Sequence, residues 1–365
     1  MKILTVVGAR PQFVKAATVS RLIKKSYAST IDEILVHTGQ HYDENMSSVF
    51  FRELDIPEPK YNLEISGGNH GEMTGRMLGA VETVLLHERP DLLLIYGDTN
   101  STLAGALAAA KLHIPIAHVE AGLRSFNMFM PEEINRILAD RVSTLLFCPT
   151  NMAVKNLKAE GIHTGVYEVG DVMFDATLHH RDIARKTSNI LNVLGLNNSN
   201  FALATCHRAE NTDDPQKLSQ ILLALGDIAK SLPVIVPMHP RTLKLIGEYG
   251  LSNAIRSLKV IAPLPYIDML ALEQASSVIL TDSGGVQKEA YFFRVPCLTM
   301  RDETEWVETV ASKANVLVGA DRVAIMDGFY KFNAGHCPPS YSSSPYGDGD
   351  AAQKILNILT THSFT

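Results

Sequence analysis

The feature that most constrains this chain is a regular alternation of short apolar runs with amphipathic stretches of helical period. In the first half the apolar runs cover residues 3–7, 33–36, 92–96, 116–119 and 145–147. After Gly170 the alternation restarts, with runs at residues 201–205, 234–237, 259–261, 278–280 and 297–299. Strands that alternate with helices form βαβ units, which build parallel sheets. The pattern predicts an α/β protein of two Rossmann-like domains that face each other across a cleft.

Composition excludes several classes of partner. The chain has 33 basic and 39 acidic residues, a formal net charge of −6, which disfavours nucleic acid. Four widely spaced cysteines give no zinc spacing and no disulfide framework, and the two histidines at 37 and 41 lack further ligands at metal-binding spacing. No apolar run approaches the roughly 18 residues that span a bilayer. We therefore expect no nucleic acid, membrane or metal partner and a location in the reducing cytoplasm.

The first strand ends in the turn Gly8-Ala9-Arg10-Pro11-Gln12. A dinucleotide-binding turn has glycines at GxGxxG spacing so that the backbone approaches a pyrophosphate closely. Here Arg10 and Pro11 replace the second glycine and its neighbour, which argues against a nicotinamide cofactor. Arg10 and Lys15, one turn later, are candidates to contact phosphate oxygens through their side chains. The alternative is that both are ordinary surface residues near the start of a helix.

Carboxylates follow neighbouring strands of the first half. Asp98 stands directly after the strand at 92–96, Glu120 follows the strand at 116–119, and Glu132 follows Pro131 at the start of a helix. Ligands of open parallel sheets bind at the carboxyl ends of the strands. Clustered carboxylates repel each other, which holds one protonated and provides an acid beside a base. The alternatives are a solvated loop and, for Asp98, a helix cap. Other charged residues of this stretch are His118, Arg124, Glu133 and Arg136.

Histidine–arginine pairs follow two strands of the second half. His207 and Arg208 come after the strand at 201–205, and His239 and Arg241 come after the strand at 234–237. A lone histidine at such a place is usually structural, but the repetition favours a site. His207 is an acid/base or phosphate-binding candidate, and Arg208 is a phosphate-binding candidate.

The segment TDSGGVQKEA joins an apolar strand to a helix. Ser283, Gly284 and Gly285 leave backbone N–H groups uncovered at the helix N-terminus, which favours an anion. Glu289 lies about two turns into this helix, where its carboxylate can accept two hydrogen bonds from a ribose. A simple capped helix explains Ser283 but not the two small residues after it.

With these motifs in order, the chain resembles the non-hydrolysing UDP-N-acetylglucosamine 2-epimerase family. The resemblance covers nearly the whole chain and rests on GARPQFVK, GQHYDENM, YGDTNSTLAGALAA, HVEAGLRS, MPEEINR, HRAEN, MHPR, TDSGGVQKEA and RDETEW. It implies a glycosyltransferase-B-like fold whose final helix crosses back to the first domain. The domains are then residues 1–170 plus 350–365, and 171–349. The resemblance also implies a homodimer, UDP-sugar substrates, and neither metal nor nicotinamide cofactor.

The family's reaction implies roles for the residues already singled out. UDP leaves C1 as a base removes the C2 proton, and the resulting 2-acetamidoglycal is reprotonated on its other face before UDP re-adds. Two faces require two proton-handling groups. The acid/base residues implied are Asp98, Glu120 and Glu132. The residues implied to hold UDP or line the cleft are Arg10, Lys15, Arg136, His207, Ser283, Gly284, Gly285 and Glu289.

Two departures from the family pattern leave the sugar open. Members activated by UDP-N-acetylglucosamine carry a QHRxM-type turn and a later RQTL-like segment, whereas this chain has Gln40-His41-Tyr42-Asp43 and Gly67. The SGG helix continues Gln287-Lys288-Glu289 in place of QEE. Both features resemble the branch that acts on modified sugars, such as UDP-2,3-diacetamido-2,3-dideoxyglucuronate or 6-deoxy-acetamido sugars. Alternative functions are a hydrolysing epimerase, a retaining glycosyltransferase of the same fold and a UDP-sugar sensor.

Overall fold

Two parallel β-sheets, each with helices between its strands, confirm the predicted α/β class. The structure is a computed structural model that describes residues 1–40, 56–197, 199–333, 340–341 and 344–363. The chain divides into two compact units. The N-terminal unit comprises Met1–Leu178 and Ser344–Thr365, and the C-terminal unit comprises His179–Ser343.

The N-terminal unit alternates strands and helices in the predicted way. In chain order its elements are β1 (Lys2–Val7), α1 (Arg10–Leu22), β2 (Asp32–His37), β3 (Tyr61–Asn62), α2 (His70–Glu88), β4 (Leu92–Tyr96), α3 (Asn100–Lys111), β5 (Ile116–Val119), α4 (Pro131–Val142), β6 (Leu145–Cys148), α5 (Asn151–Ala159), β7 (Val166–Glu168) and the first part of α6 (Val172–Thr187). The strands β4, β5 and β6 are buried along their whole length, as their apolar sequences require.

The order of strands in this sheet is β3-β2-β1-β4-β5-β6-β7, and neighbouring strands are parallel. The order reverses between β1 and β4, because β2 lies on one side of β1 and β5 on the far side of β4. Crevices of open α/β sheets form at such a switch point, outside the carboxyl ends of the strands. Gly8 and Gly97 directly follow these two strands.

The C-terminal unit repeats the plan. After the rest of α6 its elements are α7 (Ile190–Val193), β8 (Ala202–Thr205), α8 (Ala209–Thr212), α9 (Pro215–Ile228), β9 (Val234–Pro237), α10 (Pro240–Glu248), β10 (Lys259–Ile261), α11 (Tyr266–Ala275), β11 (Val278–Thr281), α12 (Gly284–Phe293), β12 (Cys297–Thr299), α13 (Val307–Ala311), β13 (Asn315–Leu317) and α14 (Arg322–Asn333). The parallel sheet has the order β10-β9-β8-β11-β12-β13. Its switch point lies between β8 and β11, the strands that precede His207 and Ser283.

The last helix, α15 (Ala351–Thr361), belongs to the N-terminal unit and packs against α1. The side chain of Tyr27 donates a hydrogen bond of 2.6 Å to Asn357 Oδ1. The carboxylate of Asp175 on α6 accepts one of 2.9 Å from the Ala352 backbone N–H. The predicted return of the final helix to the first unit is therefore seen in this structure.

Three short strands were not predicted from the sequence. They are β3, β7 and β13, each of two or three residues and each at the edge of a sheet. Edge strands of this kind are half-exposed and lack an apolar run. In the part of the chain that the structure describes, no helix is both long enough and apolar enough to cross a membrane.

Candidate active site

The turn after β1 is tightly packed and internally hydrogen-bonded. A Cβ at Gly8 would lie 2.1 Å from both Ser101 Oγ and Thr38 Oγ1, so only glycine fits. Gln12 Oε1 accepts hydrogen bonds from the backbone N–H groups of Gly8 (2.8 Å) and Ala9 (3.1 Å). These donors are thus occupied by the protein itself, in keeping with a turn that is not a dinucleotide motif. Arg10 is the first residue of α1.

Lys15 and Glu120 form a buried ion pair beside this turn. Lys15 Nζ donates directly to Glu120 Oε2, and the two side chains are 9% and 5% exposed. The backbone of Glu120 is left-handed, with φ +72°, which is uncommon and costly outside glycine. A Cβ at Gly97, which has φ +62°, would lie 3.2 Å from Glu120 Oε2 and 3.4 Å from Lys15 Nζ. The turns after β1, β4 and β5 therefore meet at one place.

Asp98 is held by Arg136. The guanidinium places Nη2 2.6 Å and Nε 2.9 Å from Asp98 Oδ2, while Nη1 donates to Glu133 Oε2 at 2.7 Å. Arg136 is buried and Asp98 is 29% exposed. The helix cap that follows is Thr99, whose side chain accepts from Thr102 N–H, so Asp98 is not the N-cap of α3. The contacts of Arg136, predicted as a substrate ligand, place it to orient Asp98.

The two adjacent glutamates of α4 have different surroundings. Glu133 is buried, and it accepts hydrogen bonds from Ser125 N–H (2.9 Å), Ser125 Oγ–H (3.0 Å) and Phe126 N–H (3.0 Å). Glu133 thus fixes the loop before α4. Glu132 is partly exposed and makes no hydrogen bond or ion pair with the residues that the structure describes. Sequence reasoning named Glu133 but gave it no role, and the one signal for that role is its position three residues before the buried Arg136.

The charges are paired more fully than the sequence suggested. We expected Asp98, Glu120 and Glu132 to repel one another. Instead Glu120 has Lys15 as a partner and Asp98 has Arg136. An ion pair of this kind balances the carboxylate charge where burial would otherwise penalise it.

A buried polar chain lies behind these turns. His118, which is fully buried on β5, has Nε2 2.7 Å from Gly97 O and Nδ1 2.8 Å from Asp140 Oδ1. Asp140 Oδ2 accepts from Gly122 N–H at 3.1 Å and from Arg124 Nη1 at 2.7 Å. Arg124, a charged residue predicted near the site, is therefore structural.

At the switch point of the C-terminal sheet, buried Asp282 organises the turn after β8. Its carboxylate accepts from His207 N–H at 2.9 Å, from Arg208 N–H at 3.0 Å and from Asn211 Nδ2 at 3.3 Å. Asn211 also donates to Met300 O at 2.9 Å. The side chain of His207 remains half-exposed. Sequence reasoning noted the motif but missed this role of Asp282, for which an acidic residue directly after an apolar strand was the signal.

The N-terminus of α12 follows β11. Ser283 is its N-cap residue, although its side chain makes no capping hydrogen bond. A Cβ at Gly284 would lie 2.7 Å from Glu305 Oε1 and 3.2 Å from Trp306 Nε1, whereas a Cβ at Gly285 would meet only Ser283 Oγ at 3.9 Å. The predicted glycines thus serve two purposes, since Gly284 admits neighbouring side chains and Gly285 leaves the helix start open.

Two charged residues of α12 are buried. Glu289 is 4% exposed, and Lys288 is 1% exposed, with Nζ 3.9 Å from the centroid of the Trp306 ring. A cation over an indole face gains electrostatic attraction that partly offsets the cost of burying the charge. Lys288 therefore helps to hold the loop that contains Trp306 against α12.

The second histidine–arginine pair is largely structural. His239 Nδ1 accepts from Arg241 N–H at 3.2 Å and caps α10. The Arg241 guanidinium donates to Thr212 Oγ1 at 2.9 Å and pairs with Asp213. These contacts tie α10 to the end of α8.

The turn after β2 is described only in part. Gln40 accepts a hydrogen bond from Ser101 N–H at 3.0 Å, whereas residues 41–43 lie outside the described residues.

Comparison with known proteins decides the family. The family model described as UDP-N-acetylglucosamine 2-epimerase matches residues 24–360. The chain belongs to the UDP-N-acetylglucosamine 2-epimerase family. Members of the family are isomerases, and the resemblance predicted from the motifs is confirmed.

Relatives in this epimerase family match along almost their whole length. One, from Pseudomonas aeruginosa, is a UDP-2,3-diacetamido-2,3-dideoxy-D-glucuronate 2-epimerase that is 54% identical over 98% of this chain and 99% of its own. Another is the UDP-N-acetylglucosamine 2-epimerase of Methanocaldococcus jannaschii, 44% identical over 99% of both chains.

Solved structures of the epimerase family share the fold. The M. jannaschii enzyme in complex with UDP-GlcNAc and UDP has a TM-score of 0.92 at 42% identity and covers 99% of this chain and 100% of its own. The Neisseria meningitidis enzyme bound to UDP-GlcNAc has a TM-score of 0.90 at 31% identity, with coverage of 99% and 100%. The predicted glycosyltransferase-B-like class is confirmed by these neighbours.

Proposed function

We propose that the chain inverts C2 of a UDP-2-acetamido sugar, as in the interconversion of UDP-N-acetylglucosamine and UDP-N-acetylmannosamine. The observation that carries the proposal is the group of carboxylates at the switch point of the N-terminal sheet. Glu120 is paired with Lys15, Asp98 is paired with Arg136, and Glu132, in the first turn of α4, makes no contact of this kind among the described residues. Inversion requires one group to remove a proton and another to return it from the opposite face.

In the proposed reaction a carboxylate takes the proton from C2 while the C1–O bond to UDP breaks in the anti sense. The electron pair of the C2–H bond forms the C1=C2 double bond of a 2-acetamidoglycal, and the C1–O pair leaves with UDP. A second group protonates C2 on the other face, and UDP re-adds at C1. No oxidant, reductant or water is consumed, so the reaction is non-hydrolysing.

We assign proton transfer to Asp98, Glu120 and Glu132, with Lys15 and Arg136 orienting two of them. We assign the UDP moiety to the C-terminal unit. The start of α12 supports this assignment because uncovered N–H groups at a helix N-terminus bind phosphate. The residues assigned to UDP are His207, Ser283, Gly284, Gly285 and Glu289, with Arg10 of the N-terminal unit as a phosphate contact.

Two sugars are the leading substrates. The 54% identity with the P. aeruginosa enzyme supports UDP-2,3-diacetamido-2,3-dideoxyglucuronate, and the 44% identity with the M. jannaschii enzyme supports UDP-N-acetylglucosamine. The larger share of identical residues favours the diacetamido uronate as the better substrate.

The experiment is incubation of the purified protein with each UDP-sugar in D₂O, followed by NMR of the nucleotide-sugar pool. Deuterium at C2 together with the manno-configured UDP-sugar is the expected result. Free sugar and UDP in equal amounts would identify a hydrolysing enzyme. UDP together with a new glycoside would identify a glycosyltransferase.

A matched pair of variants separates chemistry from folding. Glu132→Gln removes the partly exposed carboxylate at the start of α4, and we expect it to lower the rate of deuterium incorporation by about 10² or more. Glu248→Gln changes an exposed glutamate whose contact is Lys244 on α10, and we expect it to leave the rate unchanged. Equal rates in both variants would contradict the assignment of Glu132.

We also propose that the protein is a homodimer, as the resemblance implies, and that it is located in the cytoplasm, as its cysteine usage indicates. Sedimentation velocity at several protein concentrations measures the first property, and a single monomeric boundary would contradict it. Fractionation of expressing cells measures the second.

A further inference from the structure

Two turns with left-handed residues carry the carboxylates assigned to proton transfer. Gly97, with φ +62°, precedes Asp98, and Glu120 itself has φ +72°. Neither turn is part of a helix or strand. Backbone hydrogen bonds from Gly97 N–H to Val119 O (3.0 Å) and from Glu120 N–H to Phe147 O (3.0 Å) hold part of each turn, and side-chain hydrogen bonds add to them. His118 joins the two turns through its side chain, because it lies on β5 two residues before Glu120 and contacts Gly97 O at 2.7 Å.

The other side of the His118 ring faces Asp140. Nδ1 lies 2.8 Å from Asp140 Oδ1, and both side chains have no exposed surface. Asp140 Oδ2 accepts from Gly122 N–H (3.1 Å) and Arg124 Nη1 (2.7 Å). Burial alone would raise the pKa of Asp140, but hydrogen bonds and charge from His118 and Arg124 lower it below its ordinary value. Asp140 is therefore a carboxylate that only accepts hydrogen bonds.

Hydrogen counting then determines the state of the ring. A backbone carbonyl such as Gly97 O accepts hydrogen bonds and donates none, and the same holds for the Asp140 carboxylate. Both His118 nitrogens must carry hydrogen for both contacts to form. A neutral ring would leave a buried acceptor facing a nitrogen lone pair, at a cost in free energy.

We propose that His118 is a doubly protonated positioning residue that ties the Asp98 and Glu120 turns together for proton transfer, a role that rests on the proposed epimerase function. Because the ring has no exposed surface, it acts through Gly97 O and not by touching substrate. Displacement of catalytic groups by about 1 Å costs on the order of 10² in rate. Loss of the His118 bond to Gly97 O is expected to lower kcat by that order.

The first test uses the wild-type protein and does not depend on a variant's folding. Protein labelled with ¹⁵N-histidine is examined by long-range ¹H–¹⁵N NMR at pH 7.5, and the His118 signal is identified by its absence in His118→Gln. We expect two protonated ring nitrogens. One protonated and one unprotonated nitrogen would overturn the doubly protonated state.

The second test measures kcat, KM and the Kd for UDP in His118→Gln, Asp140→Asn and a matched control. The control is His180→Gln, which changes a buried histidine of the C-terminal unit. We expect kcat to fall about 10²-fold in the first two variants with KM and Kd within about twofold, and no kcat effect in the control. Unchanged kcat, or a fall in kcat matched by equal losses in UDP binding, would overturn the positioning role.

Failure of the proposed function would be distinguishable. If the wild-type protein exchanges no C2 hydrogen in any UDP-sugar tested, the epimerase proposal fails, and the positioning role fails with it. The ring protonation seen by NMR is independent of that result.

Discussion

Replacing Asp175 with asparagine is expected to stabilise the docking of α15, and to do so increasingly as the pH rises. Asp175 is 8% exposed on α6, and its Oδ2 accepts from Ala352 N–H at 2.9 Å. Its Oδ1 has no hydrogen-bond partner among the described residues. Burial raises the pKa of Asp175 from 3.8 to about 6, and hydrogen bonds from the backbone of Ala351 and Ala352 offset only part of this.

The raised pKa of Asp175 determines how the difference in stability between the variant and the wild type changes with pH. Because the pKa is raised, the folded state favours the neutral carboxyl, so the contribution of Asp175 to stability is complete below pH 3.8 and is lost as the pH passes about 6. Asparagine stays neutral throughout. A shift of about 2 units is worth about 3 kcal/mol, so the variant's advantage grows from about 1.5 kcal/mol at pH 5 to about 3 kcal/mol at pH 8. The asparagine amide and the neutral carboxyl also differ in their hydrogen bonds, and this difference changes the free energy by an amount that does not depend on pH.

The assay is hydrogen exchange of the α15 amides between pH 5 and 8, corrected for the intrinsic exchange rate, which reports the free energy of local opening. The control is Leu359→Ala, because Leu359 is 1% exposed in the same helix and its truncation costs about 2–5 kcal/mol at every pH. A difference between Asp175→Asn and wild type that does not change with pH would refute the reasoning.

Three further predictions concern the site. Asp98→Asn, Glu120→Gln and Glu132→Gln should each lower the epimerisation rate by about 10² or more, measured as C2 deuterium incorporation; near-wild-type rates in all three would end the acid/base assignment. Trp306, the only tryptophan, should change its emission saturably on titration with UDP, and a flat titration at concentrations where calorimetry detects binding would contradict a site at the start of α12. Because the resemblance implies that Gly67 stands where activated members have an arginine, initial rates from the manno-configured UDP-sugar should be hyperbolic without added activator; a lag removed by trace gluco-epimer would disprove this.

The fold could be predicted because its signals are local and repeated. Buried parallel strands such as β4 must be apolar along their whole length, and that pattern is visible in the sequence alone. The edge strands β3, β7 and β13 have no continuous apolar run, because each is short and at least partly exposed. Their existence depends on a neighbouring strand that offers free backbone groups, which only the assembled sheet provides.

The strand ends that carry the candidate site residues could be predicted, but the hydrogen-bond and ion-pair partners of those residues could not. Polar residues at the ends of buried strands identify candidates, and Asp98, Glu120 and Ser283 were predicted in that way. The sequence does not distinguish Glu132 from Glu133, since both follow Pro131 on α4. The helix turns about 100° per residue, which directs Glu133 towards Ser125 and Arg136.

The ion pairs of the candidate site could not be predicted from the sequence either. Lys15 is 105 residues from Glu120 in the chain, and Asp98 is 38 residues from Arg136. The spacing of the carboxylates predicted their mutual repulsion. In the structure Lys15 on α1 and Arg136 on α4 balance two of these charges. Ion pairs between distant segments follow from the packing of α1 and α4 and not from any local motif.

The return of α15 to the N-terminal unit affects how the chain folds during translation. Residues 344–363 are synthesised after the whole of the C-terminal unit, so that contiguous unit is complete in the nascent chain while the N-terminal unit still lacks this helix. Until then the surface that later covers Ile355, Leu356 and Leu359, all buried in the finished protein, stays exposed to water. Such transient apolar surface is what molecular chaperones bind and what promotes aggregation. The unit whose synthesis begins first therefore completes its fold only after the other unit has been synthesised.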